Sequence, residues 1–260
     1  MVSLVRKEDV VSVYEDGIYL GIIRLSENPF RRQNCYLELE LECYDNALSA
    51  ELFEKLFDMV GQPLQAMIDS WETDTSAFLT AGGFKCRCKC YTVDGAKGDY
   101  VGKQSDLMLC HAHEGEDIHD LCCRVMYERY KELHRDISPL TSDLRVFRNQ
   151  LTSDVLYEAD GDTVVNLAFV EGNEIFYIYS ADPSRFSGFA PALLHSLFAE
   201  HERVSFESDD CDWVGMSLRA LFANQEDASF DTYIYNRCDK PGPQPAGEIC
   251  CGDAEMRASL

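Results

Sequence analysis

Cationic side chains are scarce in this chain. Lys and Arg number 23 against 46 Asp and Glu, which leaves a formal charge of −23. Such a field repels polyanions, so non-specific binding to DNA, RNA or anionic lipid is excluded, while a cationic substrate such as an amine is compatible with it. Long apolar runs are missing as well. No stretch of 18 apolar residues occurs, and no membrane span is expected. Residues 1–10 hold no long apolar core, so no secretory signal is expected and the cytoplasm is the expected compartment. Gly-x-Ser-x-Gly is absent, and no Ser/His/Asp or Cys/His set has the context of a covalent catalyst.

Cysteine, by contrast, is abundant, with twelve in 260 residues. In a reducing compartment these are expected as free, mostly buried thiols. Cys86-x-Cys88-x-Cys90 reads as a strand whose alternate residues share one face about 7 Å apart, too wide for neighbouring ligands on one tetrahedral ion. The adjacent pairs Cys122-Cys123 and Cys250-Cys251 are no better placed. His111 and His113 precede Glu114, Glu116 and Asp117, and read as an exposed polar loop leading into a helix. No metal is expected.

Apolar content of 46% is that of a globular protein, and 260 residues suffice for one large domain or two ordinary ones. Residues 10–24 read as a hairpin turning at Asp16-Gly17. Ser26–Gln33 reads as a polar loop, and Cys35–Cys43 alternates as a strand with one wet face. A helix at Ser49–Val60, a strand at Pro63–Asp69, a helix at Thr73–Ala81 ended by Gly82-Gly83, and a strand at Phe84–Val93 follow. Asp94–Asp99 is the expected linker. Helices at Asp117–His134 and Ser142–Leu151 precede a hairpin at Tyr157–Phe169, turning at Asp160-Gly161-Asp162.

The same series then repeats. Glu174–Ser180 is a strand, Ala181–Gly188 a tight loop, and a helix opens near Phe189 with Pro191 in its first turn. Arg203–Ser208 is a strand, Asp212–Ala223 a helix and Ser229–Asn236 a strand. This order of elements, more than residue identity, suggests duplication. Residues 239–260, rich in Pro and Gly, read as a mobile tail.

The loop carries Arg185-x-x-Gly188-x-Ala190. It resembles the Arg/Gln-x-x-Gly-x-Gly/Ala signature of the GNAT acyltransferase superfamily, whose loop amides hold the pyrophosphate of acyl-coenzyme A. Ala81-Gly82-Gly83-Phe84 resembles the turn that ends the last helix of GNAT domains. The resemblance covers residues 1–237. It implies an α/β (α+β) protein of two GNAT-like units with the acyl-CoA N-acyltransferase fold, each a mixed, largely antiparallel sheet flanked by helices. Residues 1–96 form a truncated unit without cofactor, 105–237 a complete one and 238–260 the tail. The two units are expected to pack on each other and to continue one sheet.

The function implied is N-acetylation of a small-molecule amine with acetyl-CoA as co-substrate. Tyr179, Ser180, Arg185, Phe186, Ser187, Gly188, Phe189 and Ala190 are the implied cofactor-binding residues. The usual tyrosine acid is replaced by Phe222 or Leu221, and by Leu79 in the first half. Tyr233 is the substitute acid, with Tyr235 and Tyr179 as alternatives. Glu207 is the expected base, ahead of Asp182. The competing reading is a GNAT-fold protein without catalysis, and the first half supports it by placing Asp45 where an anion needs bare amides.

Overall fold

A computed structural model describes residues 1–237; the expected tail at 238–260 lies outside the described residues. Twelve strands form one sheet. β1 (Val2–Lys7), β2 (Val10–Glu15), β3 (Ile18–Asn28) and β4 (Arg31–Leu41) are joined by successive hairpins. The β2–β3 turn places Asp16 and Gly17 at φ 48° and 85°, the left-handed pair that a two-residue hairpin needs. Ser26–Gln33 is not a loop. β3 and β4 run through it and leave Pro29-Phe30 as the turn, because cross-strand pairing outweighs the polar composition.

α1 (Asn46–Val60) crosses from β4 to the parallel strand β5 (Leu64–Asp69), and α2 (Thr73–Ala81) leads into β6 (Lys85–Ala96). The expected linker at 94–99 is half the end of β6 and half a 3-10 turn at Lys97–Asp99. β7 (Cys110–His113), where a polar loop was expected, is an edge strand on β8 (Asp154–Asp160). Between them lie α3 (Asp117–Leu133) and α4 (Leu144–Arg148). β9 (Thr163–Glu171) pairs with β8 and with β10 (Glu174–Ser180). α5 (Pro183–Glu200) crosses to β11 (Arg203–Asp209), and α6 (Trp213–Arg219) leads to β12 (Phe230–Tyr235).

The order across the sheet is β1-β2-β3-β4-β5-β12-β6-β11-β10-β9-β8-β7. Each half therefore lends its last strand to the other. β6 lies against β11, β12 lies against β5, and the two exchanged strands pair antiparallel at the centre.

Three buried clusters hold the sheet. On one face, Leu52, Phe53 and Leu56 of α1 meet Phe78 and Leu79 of α2, Phe84 and Tyr235. Phe186, Phe189, Leu193, Leu194 and Leu197 of α5 meet Val204, Phe206, Leu218 and Phe222. On the other side of β9, Cys122, Cys123 and Met126 of α3 meet Phe147, Val155, Leu167 and Phe169. β9 is buried on both faces from Val164 to Val170, an apolar run broken only by Asn166, whose side chain donates to Glu158.

Candidate active site

β10 and β11 run parallel but pair only at Glu174↔Ser205 and Ile175↔Phe206. Beyond that point they part. A bulge at Phe176 shifts the alternation of β10, so Ile175 and Ile178 meet the α5 cluster while Tyr177 and Tyr179 meet the α3 cluster. The gap is a crevice of about 410 Å³, lined by Tyr177, Ile178, Phe206 and Glu207 together with Met126 of α3 and Gly215 of α6.

Tyr130, His134, Gln150, Tyr177, Glu207 and Asp209 line both the crevice and a larger cavity of about 620 Å³. Its lining includes Gln65, Met67 and Asp69 of β5, Cys88, Cys90 and Thr92 of β6, and Phe230 and Thr232 of β12. Phe30 and Arg31 of the β3–β4 turn and residues 137–150 complete it. Both halves of the chain thus supply its walls.

The cavity is acidic. Asp69, Glu207 and Asp209 line it, against Arg31 and His134. Arg31 donates a hydrogen bond to the Tyr130 hydroxyl and lies over its ring, 5.0 Å from the centroid. His134 Nδ1 lies 3.0 Å from the Tyr130 carbonyl, which can only accept, so Nδ1 carries a proton, and a donor toward Asp209 requires a proton on Nε2 as well. Its Nε2 lies 3.6 Å from Asp209 Oδ2. Burial pushes the Asp209 carboxyl up, but hydrogen bonds with His134, Cys90 and Cys88 outweigh it and hold the group below the ordinary carboxylate range. Burial raises the Tyr130 and Tyr177 phenols, which stay protonated at neutral pH. Burial, with Asp209 and Glu207 nearby, likewise raises the Cys90 thiol.

Of the residues singled out in sequence, Glu207 reaches this site, with its side chain open to both cavities. Tyr233 does not. Alternation along β12 sets it opposite the cavity-lining Phe230 and Thr232, on the α1/α2 face, where its hydroxyl lies 2.7 Å from Ser76 Oγ. Tyr235 is buried in the same cluster. Tyr179 packs in the α3 cluster, and buried Ser180 donates to the Asp182 carbonyl at 3.1 Å.

The Ala181–Gly188 segment is not a loop. α5 opens at Pro183, with Asp182 as N-cap and proline in the first helical position. That start signal overrides Pro191, which stands inside the helix rather than in its first turn. Arg185 to Ala190 are consequently helical. Phe186, Phe189 and Ala190 are buried in the core, and Ser187 donates to the Ser184 carbonyl. Gly188 is open except for Ser105 nearby. Arg185 is bound to Glu158 at 2.5 Å and to Asp160 at 3.0 Å. The Asp182 carboxylate takes the Ser184 amide at 2.8 Å. The first turn of α5 is thus already neutralised by the chain's own carboxylate.

A third hollow of about 430 Å³ lies between α5 and α6, lined by Phe186, Ser187, Ala190, Trp213 and Leu221, with Lys103 at its edge. The Phe186 and Trp213 rings meet edge to face, 5.6 Å apart. Phe222 is buried against Phe198 and Phe206.

Tyr130, His134, Tyr177 and Asp209 were not singled out in sequence. Asp209 was legible, since period-two alternation puts it on the Glu207 face of β11. Tyr130 and His134 share one helix face at i, i+4 spacing, but only tertiary packing brings that face to β11.

No protein-family model and no curated protein matches the chain. Solved structures do match in shape. A GCN5-related N-acetyltransferase from Sphaerobacter thermophilus aligns over 88% of this chain and 80% of its own, at 14% identity and a TM-score of 0.50. One from Kribbella flavida aligns over 90% and 89%, at 11% identity and 0.47. A tandem GNAT protein from the clavulanic acid biosynthesis pathway aligns over 90% and 83%, at 12% identity and 0.44.

Proposed function

From the premise that this chain has the acyl-CoA N-acyltransferase fold, we propose that it transfers an acetyl group from acetyl-coenzyme A to the amine of a small cationic molecule. The observation that carries this reading is the crevice between β10 and β11, which opens directly into an acidic cavity. A crevice walled in part by Ile175, Ile178 and Phe206 offers apolar contact to a thioester arm. Three carboxylates in the adjoining space suit an ammonium group.

Acyl transfer to an amine demands positioning and removal of one proton. The amine nitrogen forms the new C–N bond, the thioester C–S bond breaks, and the proton that the nitrogen sheds on becoming an amide leaves with the thiolate as coenzyme A thiol. Glu207 accepts the ammonium proton and so frees the nitrogen lone pair. Asp69 and Asp209 hold the cation, and Asp209 keeps its charge through His134 and the neighbouring thiols. Tyr177, protonated and common to both cavities, is placed to donate a hydrogen bond rather than to give up its proton. We read residues 1–96 and 105–237 as two duplicated units, the second of which carries the crevice. Free thiols fit a reducing compartment such as the cytoplasm.

One observation favours a second reading, a fold kept for binding or assembly without turnover. Asp182 occupies the amides on which a pyrophosphate would sit, and Arg185 is bound to two carboxylates. Isothermal titration of acetyl-CoA, followed by a screen of amine acceptors, separates the two. Saturable binding, lost in Gly188→Glu, with turnover of a diamine or aminoglycoside-like acceptor is expected. No binding to the folded protein leaves the second reading alone.

A further inference from the structure

The large cavity borders a cluster of which the proposed acetyl transfer uses only the Asp209 carboxylate. Cys88 lies on β6, whose Cys90 stands opposite Asp209 at the end of β11. Two residues past Asp209, the turn into α6 brings Cys211 back against Cys88. The two sulfurs lie 3.6 Å apart and are not bonded to each other. Asp209 completes the group, with one donor atom from each of the three within 4.8 Å of the others. Cys88 is buried, Asp209 half-buried and Cys211 exposed.

Two thiolates and a carboxylate are a donor set for a soft or borderline divalent ion. A tetrahedral zinc ion with Zn–S bonds of about 2.3 Å sets its two sulfurs about 3.8 Å apart, close to the spacing observed. The wider Cys86-x-Cys88-x-Cys90 series fails as a ligand set, but only because its ligands were sought along one strand. The partner of Cys88 comes from the neighbouring turn. The surroundings favour a cation. Asp210 and Asp212 flank Cys211, and two neighbouring cationic groups are already committed: Arg129 pairs with Asp212 at 2.9 Å, and Lys89 with Asp231 at 3.0 Å. His134, fixed by the Tyr130 carbonyl, orients the Asp209 carboxylate from behind, as outer partners of metal ligands do.

We propose that Cys88, Cys211 and Asp209 bind one thiophilic divalent cation, zinc, whose fourth position faces the cavity. The ion would displace both thiol protons and place a polarising charge beside Thr232, the cross-strand neighbour of Cys88.

The test uses the full chain, reduced, stripped with a chelator and reloaded with zinc or cobalt(II) alone. One equivalent of zinc is expected to survive desalting. The cobalt form should show intense tetrahedral visible bands and a sulfur-to-cobalt charge-transfer band. Cys88→Ser with Cys211→Ser changes one atom per residue, and should abolish that band and remove the equivalent. His134→Asn should weaken zinc affinity by about 10- to 100-fold. His111→Ala with His113→Ala serves as the control. Those imidazoles pair with Asp154 at 3.3 and 2.6 Å on the far edge of the sheet, the other group of ligand type among the described residues. This control should change nothing at the thiol site. The proposal is overturned if reduced wild type retains no metal, if its cobalt spectrum lacks the sulfur band, or if metal persists in the serine double variant and vanishes in the histidine one.

Discussion

β4 and β5 separate beyond Leu37 and Ala66 much as β10 and β11 separate beyond Ile175 and Phe206, yet the helix side of each gap is filled differently. Behind the first, Tyr44, Phe53, Phe57, Phe78, Phe84 and Tyr235 interlock with ring centroids 4.7–5.7 Å apart. Behind the second, Phe186, Phe189, Phe198, Phe206, Phe222 and Trp213 pair at 5.6–6.4 Å, and two of them, Phe186 and Trp213, line a hollow. The N-terminal half is packed as a support, and the C-terminal half leaves room for a ligand. The two share one device: Asp45 caps α1 as Asp182 caps α5.

The largest test of this contrast is catalytic. Glu207→Gln should lower kcat for acetyl transfer by about 10²- to 10⁴-fold, while Tyr233→Phe, on the opposite face, should leave kcat within a few-fold. Equal losses in both would erase the distinction between the two faces of the sheet. Next in size is packing. Phe53→Ala should cost about 3–5 kcal/mol in urea unfolding, and more than Phe186→Ala, whose ring edges a hollow. The reverse order would mean that the second half is the better packed.

Arg185→Ala sharpens the account of α5. Glu158, 12% exposed, then loses its cation and keeps the hydrogen bond from Asn166. A stability loss of about 1–3 kcal/mol is expected, with little change in acetyl-CoA affinity. A large affinity loss with unchanged stability would instead make Arg185 a phosphate ligand.

The smallest effect concerns the caps. Asp182→Ser keeps a capping oxygen but removes a negative charge from the helix start, and should tighten acetyl-CoA binding about 2- to 5-fold. Asp45→Ser should not. Hydrogen bonds from the Ser184 side chain and amide hold the Asp182 carboxyl below its ordinary value. Its share of stability is therefore complete at neutral pH, and is lost as pH falls below about 3.9 toward the lower native value. Acid unfolding of Asp182→Ser should be correspondingly less steep.

Local signals carried much of the fold. The Asp16-Gly17 turn, the α2 boundaries at Thr73–Ala81 and the Asp160–Asp162 turn follow from residues close in sequence. The start of α5 was equally local: Asp182-Pro183 states it, and the resemblance of 185–190 to a loop motif hid it. The strand exchange was not legible, because pairing β12 with β5 depends on two faces that meet only after folding. The site divides in the same way. Glu207 follows from strand alternation, whereas the Phe176 bulge reassigns Tyr177 and Tyr179 to the α3 face with no residue that announces it.

The exchanged central strands have a consequence for synthesis. At about 5–20 residues per second, β12 emerges roughly ten to thirty seconds after β5, the strand whose open side it must cover. Through that interval β5 presents unpaired amides and carbonyls, the kind of edge that recruits other chains. β6 waits for both its neighbours, β11 and β12, over the same period. The nascent protein therefore has reason to depend on a chaperone, or on transient pairing of β5 with β6, until the last strand arrives. A ribosome stalled before Phe230 should hold a chain far more prone to aggregate than the finished one.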